Sequence, residues 1–201
     1  PVFHAGTGLS SRPRSRSQQD KDMEFKTIAD IYAVNEKVGG RFRKFANSIS
    51  ETEAHAELDG EPWTLAALIE HVAMVESGIS RMCAKMISGA KAQGTPSDGS
   101  YRISDGFRSA LAENEGAKFE APERVRPTGG VAIAESLAKL DQTGAELAAM
   151  RSDLEAFDVS AFTFPHPYFG PLNAAEWVML SGGHIARHMA QAERLLEKVR
   201  T

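Results

Sequence analysis

PWTLAALIEHVAMVESGISRMCAKMI, residues 62–87, decides the architecture of this chain. Asp59-Gly60 marks a turn, Pro62 follows it, and Thr64 offers a side-chain oxygen to the unpaired N–H groups of a first helical turn. Leu65, Leu68, Ile69, Val72, Val75, Ile79 and Met82 then recur at helical spacing and make a wide apolar stripe. A stripe of that width needs other helices to cover it.

Upstream, Phe25, Ile28, Ile31, Val38, Phe42, Phe45 and Ile49 recur near the helical period and predict a first helix. Downstream, a connection from about residue 88 to 128 is loaded with Gly, Pro, Ser and Asp, and only ISDGFRSALAEN, residues 103–114, reads as weakly helical inside it. Antiparallel neighbours need only a short loop, so a connection of this length predicts that helices two and three run in the same direction. A third helix is expected over about residues 130–157, with Val131, Leu137, Leu140, Leu147 and Leu154 on one face. FTFPHPYFGP, residues 162–171, reads as an aromatic-rich loop. The fourth helix opens at Asn173, where Glu176 completes a capping box, and continues towards Val199. No segment alternates as a strand should, so the expected fold is all-α: a four-helix bundle with a long crossover between helices two and three.

The 201 residues, 42% hydrophobic and 25% charged, suit one domain with one core, expected over residues 23–201. Residues 1–22 are rich in Ser, Arg, Gly and Pro without an apolar period, and read as a flexible tail. A net charge of −4 gives no general attraction to nucleic acid or anionic membrane. No apolar run approaches the ~18 residues of a spanning helix. Cys83 is the one cysteine and has no intramolecular partner for a disulfide, and no charged-then-apolar segment opens the sequence, so the expected setting is cytoplasmic.

Function is carried by histidine. GGHIARHMAQ, residues 182–191, places His184 and His188 four apart on helix four, where their rings can converge on one ion. The two glycines ahead of them each cost a helix about 1 kcal/mol against alanine, which propensity alone does not explain. His71 lies on helix two among Ala67, Leu68, Met74 and Val75, and is the best third donor. Spacing leaves two readings open: a shared divalent ion with a position free for water or substrate, or histidines that are solvated or hydrogen-bonded in the core.

Other metal motifs fail on the same residues. A His-Glu-x-x-His protease needs glutamate where Ile185 stands, and a di-iron bundle needs glutamates where Ser181 and Ile185 stand. A zinc finger needs cysteines that the chain lacks. His166 is expected in loop packing or at the mouth of a pocket, and His55 and His4 at the surface. Arg187 and Gln191 fall near His188 and suit either an anionic substrate or a salt bridge to a neighbouring helix. Glu70 and Glu76 suit either solvent or a hydrogen bond from a ligand imidazole, and Cys83 is expected to be a small core residue.

Taken together, PWTLAALIEHVAMVE and, about a hundred residues later, HPYFGPLNAAEWVMLSGGHIARHMAQAERLL resemble the DinB/YfiT-like superfamily of four-helix-bundle metalloproteins. The resemblance covers about residues 25–199; its specific part is a histidine after a Trp-Thr opening and a late His-x-x-x-His preceded by Glu-Trp. It implies a divalent metal, zinc or nickel, on His71, His184 and His188. Members with assigned activity include bacillithiol- and mycothiol-dependent S-transferases and a mycothiol-dependent maleylpyruvate isomerase. The resemblance therefore implies a thiol S-transferase or related hydrolase, with a low-molecular-weight thiol as cofactor, a small-molecule substrate and homodimer formation. The alternative it leaves is a non-catalytic bundle that holds a small ligand through the same metal. The connection over residues 88–128 matches no thiol-binding element.

Overall fold

The computed structural model describes residues 25–117 and 119–201, so the tail expected over residues 1–22 lies outside the described residues. Four long helical segments form the bundle. Helix α1, Ile28–Ala46, starts at a capping box in which Thr27 and Asp30 satisfy each other's backbone N–H groups. A one-turn helix α2, Glu51–His55, capped by Ser50, turns the chain towards α3, Leu65–Gln93. Thr64 caps α3 as expected, accepting from Ala67 N at 3.2 Å.

α3 runs six residues past the expected boundary, to Gln93, and is stopped by Gly94, whose φ of 74° is left-handed. Within this extension Gly89 meets a distant residue: a Cβ there would sit 2.6 Å from the ring of Phe162. The Phe162 ring takes the space that any larger side chain would need.

The connection after Gly94 holds α4, Asp105–Glu113, as the weakly helical stretch predicts, and one 3₁₀ turn, Glu123–Val125. The third long segment is two helices, α5, Ile133–Ala149, and α6, Arg151–Ala156, joined at Met150. There the backbone N–H bonds three residues back to Leu147 O at 3.1 Å, tightening the last turn of α5. Helix α7, Ala174–Arg200, opens on the expected Asn173/Glu176 capping box.

The aromatic segment expected as a loop is instead a hairpin. β1, Thr163–His166, pairs antiparallel with β2, Gly170–Asn173, in the register Thr163↔Asn173 to His166↔Gly170. Four residues per strand, with Pro165 opposite Pro171, are too few to show alternation, and a two-stranded ribbon leaves both prolines on an edge that demands no N–H.

Pairwise contacts give the helix directions. Ser80 Oγ donates to Glu146 at 2.7 Å and Lys91 pairs with Asp153 at 2.9 Å, so α3 and the α5–α6 segment ascend together and the crossover joins parallel neighbours. α7 runs against α3, since His71 meets His184, Glu76 meets Ser181 and Cys83 Sγ meets Ala174 O. α1 runs with α7: Asn35 donates to Val178 O at 2.7 Å and Arg41 pairs with Glu193. The core lies where these helices meet, with Ile31, Phe42, Leu68, Ile69, Ile79 and Val178 fully buried. No helix among the described residues is long and apolar enough to cross a membrane.

Candidate metal centre

The three histidines come together. His71 on α3 and His184 and His188 on α7 each offer a ring nitrogen, and these atoms lie within 4.8 Å of one another. His71 and His188 are buried and His184 is half-buried. The antiparallel packing of α3 on α7 sets His71 opposite the gap of one turn between the other two rings. The glycine pair ahead of His184 divides its work. A Cβ on Gly182 would come within 2.1 Å of Asn35 Oδ1, so this glycine lets α1 approach, whereas one on Gly183 would meet nothing within 4 Å and would point into the open cleft.

Each imidazole is oriented by an oxygen at its far nitrogen. His71 Nδ1 lies 2.7 Å from Val125 O, a backbone carbonyl that can only accept, so the proton sits on Nδ1 and Nε2 is bare. His184 Nδ1 faces Glu76 Oε1 at 3.4 Å, and His188 Nδ1 donates to Gln191 Oε1 at 3.0 Å. The Val125 carbonyl fixes the tautomer of His71 and the Gln191 oxygen that of His188, and an ionised Glu76 does the same for His184, which turns the three Nε2 atoms inward. His71 and His184 Nε2 are 3.3 Å apart, a separation that one shared proton or one shared cation satisfies. A tetrahedral zinc ion about 2.0–2.1 Å from each would hold them about 3.3 Å apart, so this pair has the spacing of two ligands of one divalent ion, with the third imidazole within reach.

Electrostatics point the same way. Burial holds His184 and His188 down to about 3, helped by the neighbouring imidazoles, and burial also lowers His71, against its bond to Val125. All three are neutral at physiological pH, the form that ligates metal. Glu76 is fully enclosed and burial raises its carboxyl to about 7, although the Ser181 hydroxyl donates to it and Arg43 opposes the rise. Its Oε1 has no partner other than the His184 ring in front of it, and His184 Nδ1 has no closer acceptor.

Of the two carboxylates considered for this role, Glu70 does something else. It accepts from Thr128 N at 2.9 Å, Thr128 Oγ1 at 3.0 Å and Gly129 N at 2.8 Å. That staples the end of the crossover to α3 beside His71 and so positions the Val125 carbonyl. Val125 itself carries no sequence signal, because any residue supplies a carbonyl. Trp63, whose ring centroid is 4.8 Å from that of His71, covers the imidazole and also lines the cleft.

The cleft holds about 2100 Å³ and opens beside the imidazoles, with Met74, Phe164, Leu180 and Gly183 among its walls. His166 lines it and serves the hairpin turn as well: Nδ1 accepts from Tyr168 N and Phe169 N at 3.1 and 3.3 Å, which leaves the proton on Nε2. Burial, with His184 and Arg124 nearby, lowers His166 to about 4. Arg187 makes no ion pair among the described residues; its guanidinium lies 5.2 Å from the centre of the Phe119 ring. His55 is exposed and pairs with Glu51 at 3.2 Å, Cys83 is a buried core residue, its thiol pushed up by burial, and His4 lies outside the described residues.

Residues 35–192 match the family model described as the DinB superfamily, a span that contains all three histidines and every group that orients them. No curated protein and no solved structure gives a match.

Proposed function

This chain belongs to the DinB superfamily, and on that premise we propose that it is a metal-dependent enzyme, a thiol S-transferase or a related hydrolase. His71, His184 and His188 hold zinc or nickel in this reading. A divalent ion bound there lowers the pKa of a ligated thiol or water and supplies a nucleophile at neutral pH. One observation carries the proposal: three histidines, each with Nδ1 facing an oxygen, bring ring nitrogens within 4.8 Å of one another beside a cleft.

The chain's own residues then have distinct tasks. Val125, Glu76 and Gln191 hold the imidazoles in one tautomer, Trp63 shields the outer face of His71, and Gly183 keeps the approach open. Polar groups on the same cleft, His166 with its Nε2 proton and Arg187 with its guanidinium, favour turnover over passive storage of a ligand. The reading includes a cytoplasmic setting and a homodimer, the latter checked by sedimentation.

The test is a conjugation assay in which the zinc- or nickel-loaded full chain is offered a panel of cellular low-molecular-weight thiols with small electrophiles, following thiol loss. Metal-dependent conjugation that disappears in His184→Ala supports the enzyme. Metal-dependent hydrolysis in place of conjugation selects the hydrolase branch of the reading, whereas metal and thiol binding without turnover of any substrate transfers the site to the ligand-binding alternative.

A further inference from the structure

Arg187 sits on the same helix as two of the imidazoles, lines the same cleft, and is exposed. Its guanidinium rests against Phe119, which stacks on Tyr168 with ring centroids 4.3 Å apart, and Tyr168 is fixed in turn by donating to Glu120 O at 3.0 Å. A cation–π contact with a ring spends none of the guanidinium's hydrogen bonds, and the N–H fork that matches a carboxylate stays available. Among the described residues no acceptor or carboxylate engages that fork. Outside the cleft, Arg41, Arg43, Arg151 and Arg200 meet carboxylates, whereas Arg102, Arg108 and Arg194 do not among the described residues.

The pattern extends around the cleft. Arg81, Lys85, Arg124, Arg126 and Lys139 also line it, and none of them reaches a carboxylate within ion-pair distance among the described residues. Four glutamates line it too, but Glu70 is occupied by Thr128 and Gly129. A concave surface with excess unpaired positive charge, on a chain whose net charge is −4, concentrates small anions. Its walls near Arg187 are apolar, and at two glycines, Gly78 and Gly183, the space a side chain would fill is empty. That combination admits an apolar body with one charged end.

We propose that the cleft binds a small organic carboxylate, its charged end on the Arg187 fork and its apolar body over Gly183, beside the three imidazoles. The proposal rests on the reading of this cleft as the substrate site and names the substrate class.

Titration calorimetry on the full chain tests it with two probes, 4-phenylbutanoate and its neutral isostere 4-phenylbutanamide, each with metal-free and zinc-loaded protein. The acid binds roughly tenfold or more tighter than the amide, as a charge-assisted fork requires. Arg187→Gln removes that preference and leaves amide binding unchanged, Arg187→Lys retains part of it, and Gly183→Leu weakens both probes by filling the floor. His188→Ala keeps the preference, which separates this claim from the metal reading. A wild-type chain that binds neither probe, or both alike, overturns the proposal. So does a preference that survives Arg187→Gln, and one that vanishes in His188→Ala while surviving Arg187→Gln puts the carboxylate on the metal instead.

Discussion

The contact between α3 and α7 is built in two unlike halves. Towards the C-terminal end of α3, Ile79, Cys83, Met86 and Ile87 meet Ala174, Ala175, Trp177 and Val178, and burial of hydrocarbon holds the helices together. One or two turns back along α3, the same pair of helices buries His71 and Glu76 against Ser181, His184 and His188. Every group in the first half is apolar or satisfied without a bound ion. The second confines bare nitrogens and a desolvated carboxyl, an arrangement that costs stability until a cation joins it. The difference teaches that the fold supplies rigidity at one end so that the other can hold groups in positions they would not choose.

The largest expected effect falls on the polar half. His188→Ala removes one of the three donors, and bound metal drops from one equivalent per chain to none while the helical circular dichroism stays. The same variant is expected to raise the thermal stability of the metal-free chain, because it relieves crowding of lone pairs. Mirroring it, Ile79→Ala in the apolar half costs roughly 2–5 kcal/mol in denaturant unfolding and leaves the metal stoichiometry at one.

A subtler change sharpens the comparison. Glu76→Gln keeps the shape but weakens the acceptor at His184 Nδ1, and metal affinity in a chelator competition should fall about 10–100-fold. Glu70→Gln acts on the staple to Thr128 and Gly129 instead, so its first effect is loss of protection in hydrogen exchange over the crossover.

Acid separates the halves again. In the metal-free chain His184 and His188 resist protonation down to about 3, whereas unfolded histidines protonate near about pH 6.5. Their stability contribution is complete above that value and is lost as pH falls through the window towards 3. Glu76 works in the opposite sense: its carboxyl, raised to about 7, stabilises below the unfolded value of about 4.3, and that contribution is lost as pH rises through 7. Midpoints of urea unfolding should therefore peak near about pH 6.5 and fall more steeply on the acid side, where several histidines act against one carboxyl.

The smallest effect belongs to the glycine pair. Gly183→Ala should gain up to about 1 kcal/mol from helix propensity, since no atom lies where the methyl goes. Gly182→Ala should gain nothing or lose stability, because Asn35 must leave its bond to Val178 O. Equal values for the two would break the assignment of one glycine to packing and the other to the cleft.

Much of this was legible before any coordinates. The caps at Thr64 and Asn173–Glu176 are local chemistry and occur where the residues say, and the long crossover joins parallel helices as its length requires. The three histidines are readable because i, i+4 spacing and an apolar neighbourhood are both sequence properties. What was hidden depends on residues far apart in the chain. Phe162 fills the space beside Gly89, and each hairpin strand has only four residues in which a pattern could be read. Glu70 and Glu76 look alike in sequence, yet six positions apart they face different neighbours, the crossover and α7. Val125 acts through its carbonyl, which composition cannot reveal, and Arg187 lies over Phe119 where its place on the helix favoured a salt bridge to a neighbouring helix.

The central claim is that one divalent ion belongs among these imidazoles. Titrating cobalt(II) into the metal-free full chain while following the visible d–d bands tests it most directly. The account predicts saturation at one equivalent with the intense absorption of a four- or five-coordinate nitrogen site, absent in His71→Ala. Saturation of that same signal in His71→Ala, or no binding by the wild-type chain, would contradict it.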